Sequence, residues 1–513
     1  MARLKITNTL LGSTSTASGT VPISFDITWE EAWRNETNCD GIWVFAKFKT
    51  GDGIWQHATI AEASGCEFNY CDHTPSGCSC GIANAPLAMW VPETRKGAFI
   101  TRTQGEGDVS STDVKISWAY SADGVTVPSD VVDIRVFGLE MVYVPEEKHY
   151  VGDPKGTNGP LNCLYTYPDG GAYLIESEAP ISVDAKPGCL YCDQDNDRSR
   201  DETPFVIPDT FPKGYAAFWL MKYGVSSQQY VDFLNTLTRK QQQGRVLSDI
   251  SGDDIPNYHV MTNTAEEYLR QSIVCQKQGN RTQEPVQFFT YAPARACNAI
   301  SWGDVAAFAA WAALRPITEL EFEKACRGPL LAVASECAWG SAEIGRADTF
   351  DGPDGSGYER PLPATGLVNC CYGGGIAPFR AAAGQTEPEN PGFEGPVSCG
   401  VFSNYRRPGI PKRLNDGASY YGILELSGNL WEPCVTLGHP AGRAFLPNHG
   451  DGMLNEDGDA FVQNWPDKSG AGTGVRGGVW RSPDENYLMV ALRFAANHAK
   501  STERYNGGCR VGF

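Results

Sequence analysis

The hydrophobic period of this chain changes once, near residue 137, and that change limits the folds open to it. Before it, Val21–Trp29, Gly41–Phe48 and Val114–Tyr120 alternate apolar and polar residues, and Ser, Gly and Asp clusters separate the runs. Alternation of this kind places one face of each segment in a core and predicts strands. Residues 1–135 therefore read as an all-β, immunoglobulin-like sandwich, with Trp29, Trp43 and Trp118 expected in its core. After Phe137 the signals are helical. Ser226-x-x-Gln229 is a capping box followed by Tyr230, Phe233, Leu234 and Leu237 at helical spacing. A second helix is predicted from Ser301, with Val305, Phe308, Ala309 and Ala312 on one face. A third follows the Thr318-x-x-Glu321 box and should bury Phe322, Ala325 and Cys326. Residues 340–415 are rich in Gly, Pro and Asn and predict an irregular insertion. At 513 residues the chain exceeds one ordinary core. The expected class is α+β, with a sandwich over 1–135 and a second domain over 136–513.

A formal net charge of -19 argues against nucleic-acid or anionic-membrane surfaces, which need clustered Lys and Arg. No run of about 20 apolar residues is present, and no secretory h-region follows Met1. The expectation is a soluble chain without a signal peptide, cytoplasmic or virion-associated, and not inserted in a membrane. The cysteines number 17, so at least one thiol is left unpaired. Cys66, Cys71, Cys78 and Cys80, and the Cys189–Cys192 pair, leave zinc, a local disulfide and plain loop cysteines open.

Several blocks then recur in one order: Glu140–Pro145, Phe218–Ser226, Asn298–Trp302, Arg315–Glu321, Ala325–Gly328, Tyr421–Glu432, Arg476–Trp480 and Cys509–Phe513. Together they resemble the formylglycine-generating-enzyme (sulfatase-modifying factor) family, a variant of the C-type lectin fold. The resemblance implies copper held by two cysteines just after the Gly-Gly-x-Trp turn. Here those positions fall on Ser482 and Tyr487, and Gly477–Gly508 contains no cysteine. A soft Cu(I) site needs thiolates, so formylglycine synthesis is not expected. A sister branch uses non-haem iron and a histidine cluster, which the spacing of the seven histidines does not provide. The chain is expected not to be an enzyme.

The same blocks, with Asn448–Gly452 and the short C-terminal end, are similar to the variable proteins of diversity-generating retroelements. That resemblance implies a scaffold whose last forty or so residues carry diversified ligand contacts. Arg476, Gly477, Gly478, Trp480, Leu488, Val490, Arg493, Asn497, Arg504, Gly508 and Arg510 read as anchors. Between them, Arg481, Ser482, Asp484, Asn486, Ala491, Leu492, Phe494, His498, Ala499 and Tyr505 follow no regular period and are the candidate ligand-binding residues. Their residue types are reachable from an Asn codon by changing adenines. Residues 474–513 hold six basic and three acidic side chains, a local excess of positive charge in an acidic chain.

The family resemblance also implies calcium beside the Gly-Asn-x-Trp-Glu stretch. The corresponding ligands here are Glu425 and Glu432 through side chains and Gly428 and Leu430 through carbonyls, hard donors of the type Ca²⁺ takes. Asp451, Asn455, Asp457 and Asp459 lack full EF-hand spacing and read as a solvated acidic turn. Glu387–Asn390 departs from the calcium-dependent sugar motif at its third position. The expected function is non-catalytic binding of a protein or cell-surface ligand. The competing expectations are a metal-dependent oxidoreductase of the same family, using thiols such as Cys434 or Cys509, and a phage fibre-tip or receptor-binding structural protein.

Overall fold

The computed structural model describes residues 3–12, 19–51, 53–61, 87–154, 162–192, 204–347, 349–363, 365–373, 394–496 and 507–513. Strands β1 (Leu4–Leu11), β2 (Val21–Arg34) and β7 (Gly105–Trp118) form one antiparallel sheet, in the order β1-β2-β7. The facing sheet contains β3 (Asp40–Lys49), β4 (Trp55–His57), β5 (Leu87–Trp90), β6 (Ala98–Arg102), β8 (Asp133–Val144) and β9 (Phe218–Met221). Its order is β9-β8-β3-β6-β5, with β4 paired to β3. The two sheets enclose a core that includes Phe25, Trp29, Val44, Phe48 and Trp118.

The second sheet belongs to both halves of the molecule. The boundary expected at residues 135/136 falls inside β8, which pairs with β3 on one side and β9 on the other. Ile42, Val44, Ala46 and Phe48 of β3 point into the sandwich, whereas Trp43 and Phe45 point into a second, larger core. A strand buried on both faces explains why nine consecutive residues of β3 are buried. Trp43 thus departs from its expected place. It lies in the second core and donates its indole N–H to the Ala312 carbonyl at 2.8 Å.

The three expected helices form, each behind its capping box: α1 (Ser227–Leu234), α3 (Trp302–Trp311) and α4 (Glu319–Arg327). A fourth, α2 (Arg239–Arg245), starts at an unanticipated box of Thr238 and Gln241. Every residue of α3 is buried, so this helix lacks the solvent face expected of it. Its four alanines and a glycine let neighbouring chain approach on all sides; a Cβ on Gly450 would lie 2.4 Å from Ala310 Cα. The segment 340–415 contains a small hairpin, Thr349–Asp351 with Arg360–Leu362, among its described residues. No helix among the described residues is long and apolar enough to cross a membrane.

Candidate functional site

The frame of the C-terminal region is ionic and buried. In α4, Glu319, Glu321 and Glu323 all lie inside the protein, and each meets an arginine. Arg493 holds Glu319 through Nε at 2.6 Å and Nη2 at 3.0 Å, and Arg476 reaches Glu319 at 2.9 Å and Glu323 at 2.5 Å. Arg315 holds Glu321 with both ends of its guanidinium, at 2.6 and 3.0 Å. Burial alone would push the Glu319 carboxyl up, but Arg493 and Arg476 outweigh it and hold it at about 2. Breaking one member of such a set leaves an uncompensated buried charge. Arg476 and Arg493, two of the arginines anticipated as anchors, are therefore tied to the helix beneath.

Two short strands carry this frame: β10 (Glu432–Val435) pairs antiparallel with β11 (Thr473–Arg476), setting Glu432 opposite Arg476. The chain then turns through Gly477 and Gly478, both at positive φ (82° and 76°). A Cβ on Gly477 would sit 2.3 Å from the Leu426 carbonyl oxygen. The Gly428 N–H donates to the Gly477 carbonyl at 2.7 Å, and the Trp480 N–H to Asn429 at 2.8 Å. The Gly-Gly-Val-Trp turn is thereby clamped onto the Ser427–Asn429 turn.

Outside this clamp lies an aromatic row. The Tyr487 ring stands 6.4 Å from Trp431 and 5.7 Å from Phe494, both at steep angles. Trp431 and Tyr487 are half-buried and Phe494 is exposed. The Tyr372 hydroxyl donates to Glu485 at 3.2 Å on the same turn. Of the candidate ligand residues, Asp484, Asn486 and Phe494 are exposed, and Arg481 and Leu492 are half-buried. Asp484 also has a local duty, accepting the Asn486 N–H at 2.9 Å to start a short 3-10 turn, Glu485–Leu488. Ser482 and Ala491 do not fit the expectation of displayed side chains. Both are buried, and Ser482 Oγ accepts the Val479 N–H at 2.9 Å. His498, Ala499 and Tyr505 lie outside the described residues, as do the anchors Asn497 and Arg504. Trp431 and Tyr487 were missed as surface residues because each sat in a motif position already given another meaning.

The residues onto which the resemblance places the copper thiolates are a serine buried and engaged with a backbone amide and a tyrosine packed in the aromatic row. Cys434 and Cys509, the alternative thiols, are fully buried, and burial pushes both well above the usual thiol range. All thirteen described cysteines are free thiols, and Cys66, Cys71, Cys78 and Cys80 lie outside the described residues. His449 stacks on Phe513 at 4.0 Å, and burial lowers it to about 3.

At the calcium set expected at Glu425, Gly428, Leu430 and Glu432, both carboxylates already have partners within the chain. Glu432 Oε1 accepts from Arg510 at 2.9 Å, so a guanidinium already neutralises it and would repel a cation. Glu425 accepts the Gly400 N–H, and burial raises its carboxyl to about 7. Each carboxylate keeps one buried oxygen without a partner. No group of three His, Cys, Asp or Glu side chains is arranged for a metal among the described residues. In the acidic turn, Asp457 meets Lys240 at 2.9 Å, and Asp459 meets Arg245 at 2.6 Å and Lys468 at 2.8 Å. Those carboxylates pair with cationic side chains, as a solvated ionic turn does.

Against known proteins, residues 177–512 match the family model of the sulfatase-modifying factor enzyme 1-like domain (FGE-sulfatase). No curated protein matches the chain.

Proposed function

The chain belongs to the sulfatase-modifying factor enzyme 1-like family, and from that premise we propose that it is a binding member in which the fold is kept and the oxidative chemistry is not. Its ligand is a protein or cell-surface target, met by the aromatic and charged side chains between Arg481 and Tyr505. One observation carries the reading. Where the resemblance places the family's two thiolates, the chain has Ser482, which is sealed inside the turn, and Tyr487, which builds the surface row with Trp431 and Phe494. Aromatic side chains supply large contact area at low entropic cost, and arginine and tyrosine dominate the centres of protein interfaces.

In its fuller form the proposal makes this region, on a C-type-lectin-type scaffold behind an immunoglobulin-like sandwich, the variable part of a protein diversified by a retroelement. Buried Arg476, Arg493 and Arg510 would be the constant frame, and Arg481, Asp484, Asn486, Leu492, Phe494, His498, Ala499 and Tyr505 the replaceable contacts. Ser482 and Ala491, being buried, would vary only among small residues. Sequencing the flanking DNA tests this: a near-identical repeat differing at adenines beside a reverse-transcriptase gene is expected, and finding neither removes the diversification reading. Binding is tested separately by recovering surface-extract partners with the native chain and with an Arg481, Phe494, Tyr505 triple alanine variant. Equal recovery would defeat the assignment. Copper or iron at one equivalent per purified chain would restore the enzymatic reading.

A further inference from the structure

A cleft of about 570 Å³ opens where the end of β2 meets residues 403–424. One wall comes from Glu31–Asn38, outside the matched family domain, and the other from inside it. Its volume falls in the range of small-molecule sites. Four aromatic residues line it, of which Tyr223 and Tyr421 are buried and Trp33 and Tyr420 offer exposed ring surface. Trp33 is half-buried against the turn at Gly422, which has φ 87° and where a Cβ would come within 3.2 Å of the indole. Tyr420 is 43% exposed and is held from behind by Gly328, by Tyr421 at 4.9 Å and by the Arg413 guanidinium at 5.7 Å.

The cleft's charge is opposite to that of the chain. Five cations line it (Arg34, Lys222, Arg406, Lys412, Arg413) against three acids (Glu31, Glu106, Asp416), in a protein of net charge -19. Glu31 is engaged by Arg3 and Arg406, and Asp416 lies 3.7 Å from Arg406. Lys222 is spent inside on Asp40 at 2.8 Å, and Arg413 on the carbonyls of Cys326, Ala338 and Ala418. Among the described residues the Arg34 guanidinium meets the Cys39 thiol at 3.8 Å and the Thr101 hydroxyl at 3.5 Å, and Lys412 is exposed. Neither has an ion-pair partner within 4.0 Å among the described residues.

We propose that this inter-domain cleft binds a small ring-bearing anion, its carboxylate or phosphate held by Arg34 and Lys412 and its ring laid between Trp33 and Tyr420. A guanidinium and an ammonium both suit such a head group, arginine in a planar fork and lysine as a point charge. Glucuronate and glucose 6-phosphate supply the two head groups on one ring, and glucose is the uncharged control. In calorimetric titrations of the full chain, one of the two anions is expected to bind at least about tenfold more tightly than glucose. The preferred anion distinguishes a carboxylate from a phosphate ligand. Lys412→Glu, at an exposed position that should leave folding intact, is expected to weaken that binding by about tenfold or more, and Arg34→Ala likewise. The thermal midpoint of each variant reports whether it is folded. Failure of both anions to bind at millimolar concentration, or unchanged affinity in folded Lys412→Glu, would overturn the proposal. The triple alanine variant of the C-terminal surface leaves this cleft intact, so the two binding readings can fail independently.

Discussion

Arg493 and Phe494 are chain neighbours with opposite duties. Arg493 is fully buried and grips Glu319 through two nitrogens, while Phe494 is 43% exposed and touches Tyr487 only edge-on. The same contrast repeats along the turn, where Arg476 is buried on Glu319 and Glu323, and Asp484 and Asn486 face solvent. Interleaving of this kind separates two jobs that usually compete. The inward residues hold the backbone by charge pairs and hydrogen bonds that do not depend on what projects outward. An outward side chain can then change with little structural penalty, which is the condition a surface used for recognition must meet.

The contrast breaks most visibly if Glu319 is neutralised. Glu319→Gln removes the counter-charge that Arg493 and Arg476 share, although Arg476 keeps Glu323, and its cost is expected at about 3–5 kcal/mol, the range for breaking a buried ion pair. Denaturant unfolding followed by tryptophan fluorescence measures it, and a cost below about 1 kcal/mol would mean the frame is not ionic in its energetics. The pH dependence follows from the same carboxylate. With its folded value at about 2 and the ordinary value at 4.5, Glu319 contributes roughly 3 kcal/mol that is fully present above pH 4.5. That contribution is lost as pH falls through about 2, and Glu319→Gln should flatten the stability curve there. Glu425 has the opposite sign. Its carboxyl is raised to about 7 by burial, so its contribution declines as pH rises from 4.5 through 7, and Glu425→Gln should remove that decline.

How much of this was legible in the sequence depended on whether the signal was local. The capping boxes read at Ser226 and Thr318 each began a helix, as did the start read at Ser301, because a side chain reaching the third amide onward needs no distant partner. The apolar alternation of β3 was legible too, but not that its other face, Trp43 and Phe45, meets a second core. Periodicity gives a strand two faces and does not say what covers each. Likewise Arg476, Arg493 and Arg510 stood out as fixed positions, yet their partners Glu319, Glu323 and Glu432 lie as much as 174 residues away, where spacing carries no information. The surroundings of the calcium candidates were hidden for the same reason: Glu425 and Glu432 are close in sequence, but Arg510, which reaches Glu432, lies 78 residues further on.

On the outward side the expected effects on stability are small and those on binding large. Phe494→Ala should change unfolding free energy by no more than about 0.5–1 kcal/mol, as for a side chain outside the core. It should nevertheless cut partner recovery several-fold if Phe494 is an interface anchor. A variant that loses stability in proportion to binding would place Phe494 in the frame instead. The smallest expected effect is that of metal removal. Because Arg510 already occupies the carboxylate face of Glu432, chelation with EGTA should leave the thermal midpoint unchanged, and added calcium should not raise it. Glu432→Gln, in contrast, leaves Arg510 buried without its counter-charge and should lower the midpoint with or without chelator. If EGTA lowers the midpoint of the native chain and has no effect on Glu432→Gln, then Glu432 holds a cation, and the separation drawn here between an arginine-tied frame and a free surface fails at that position.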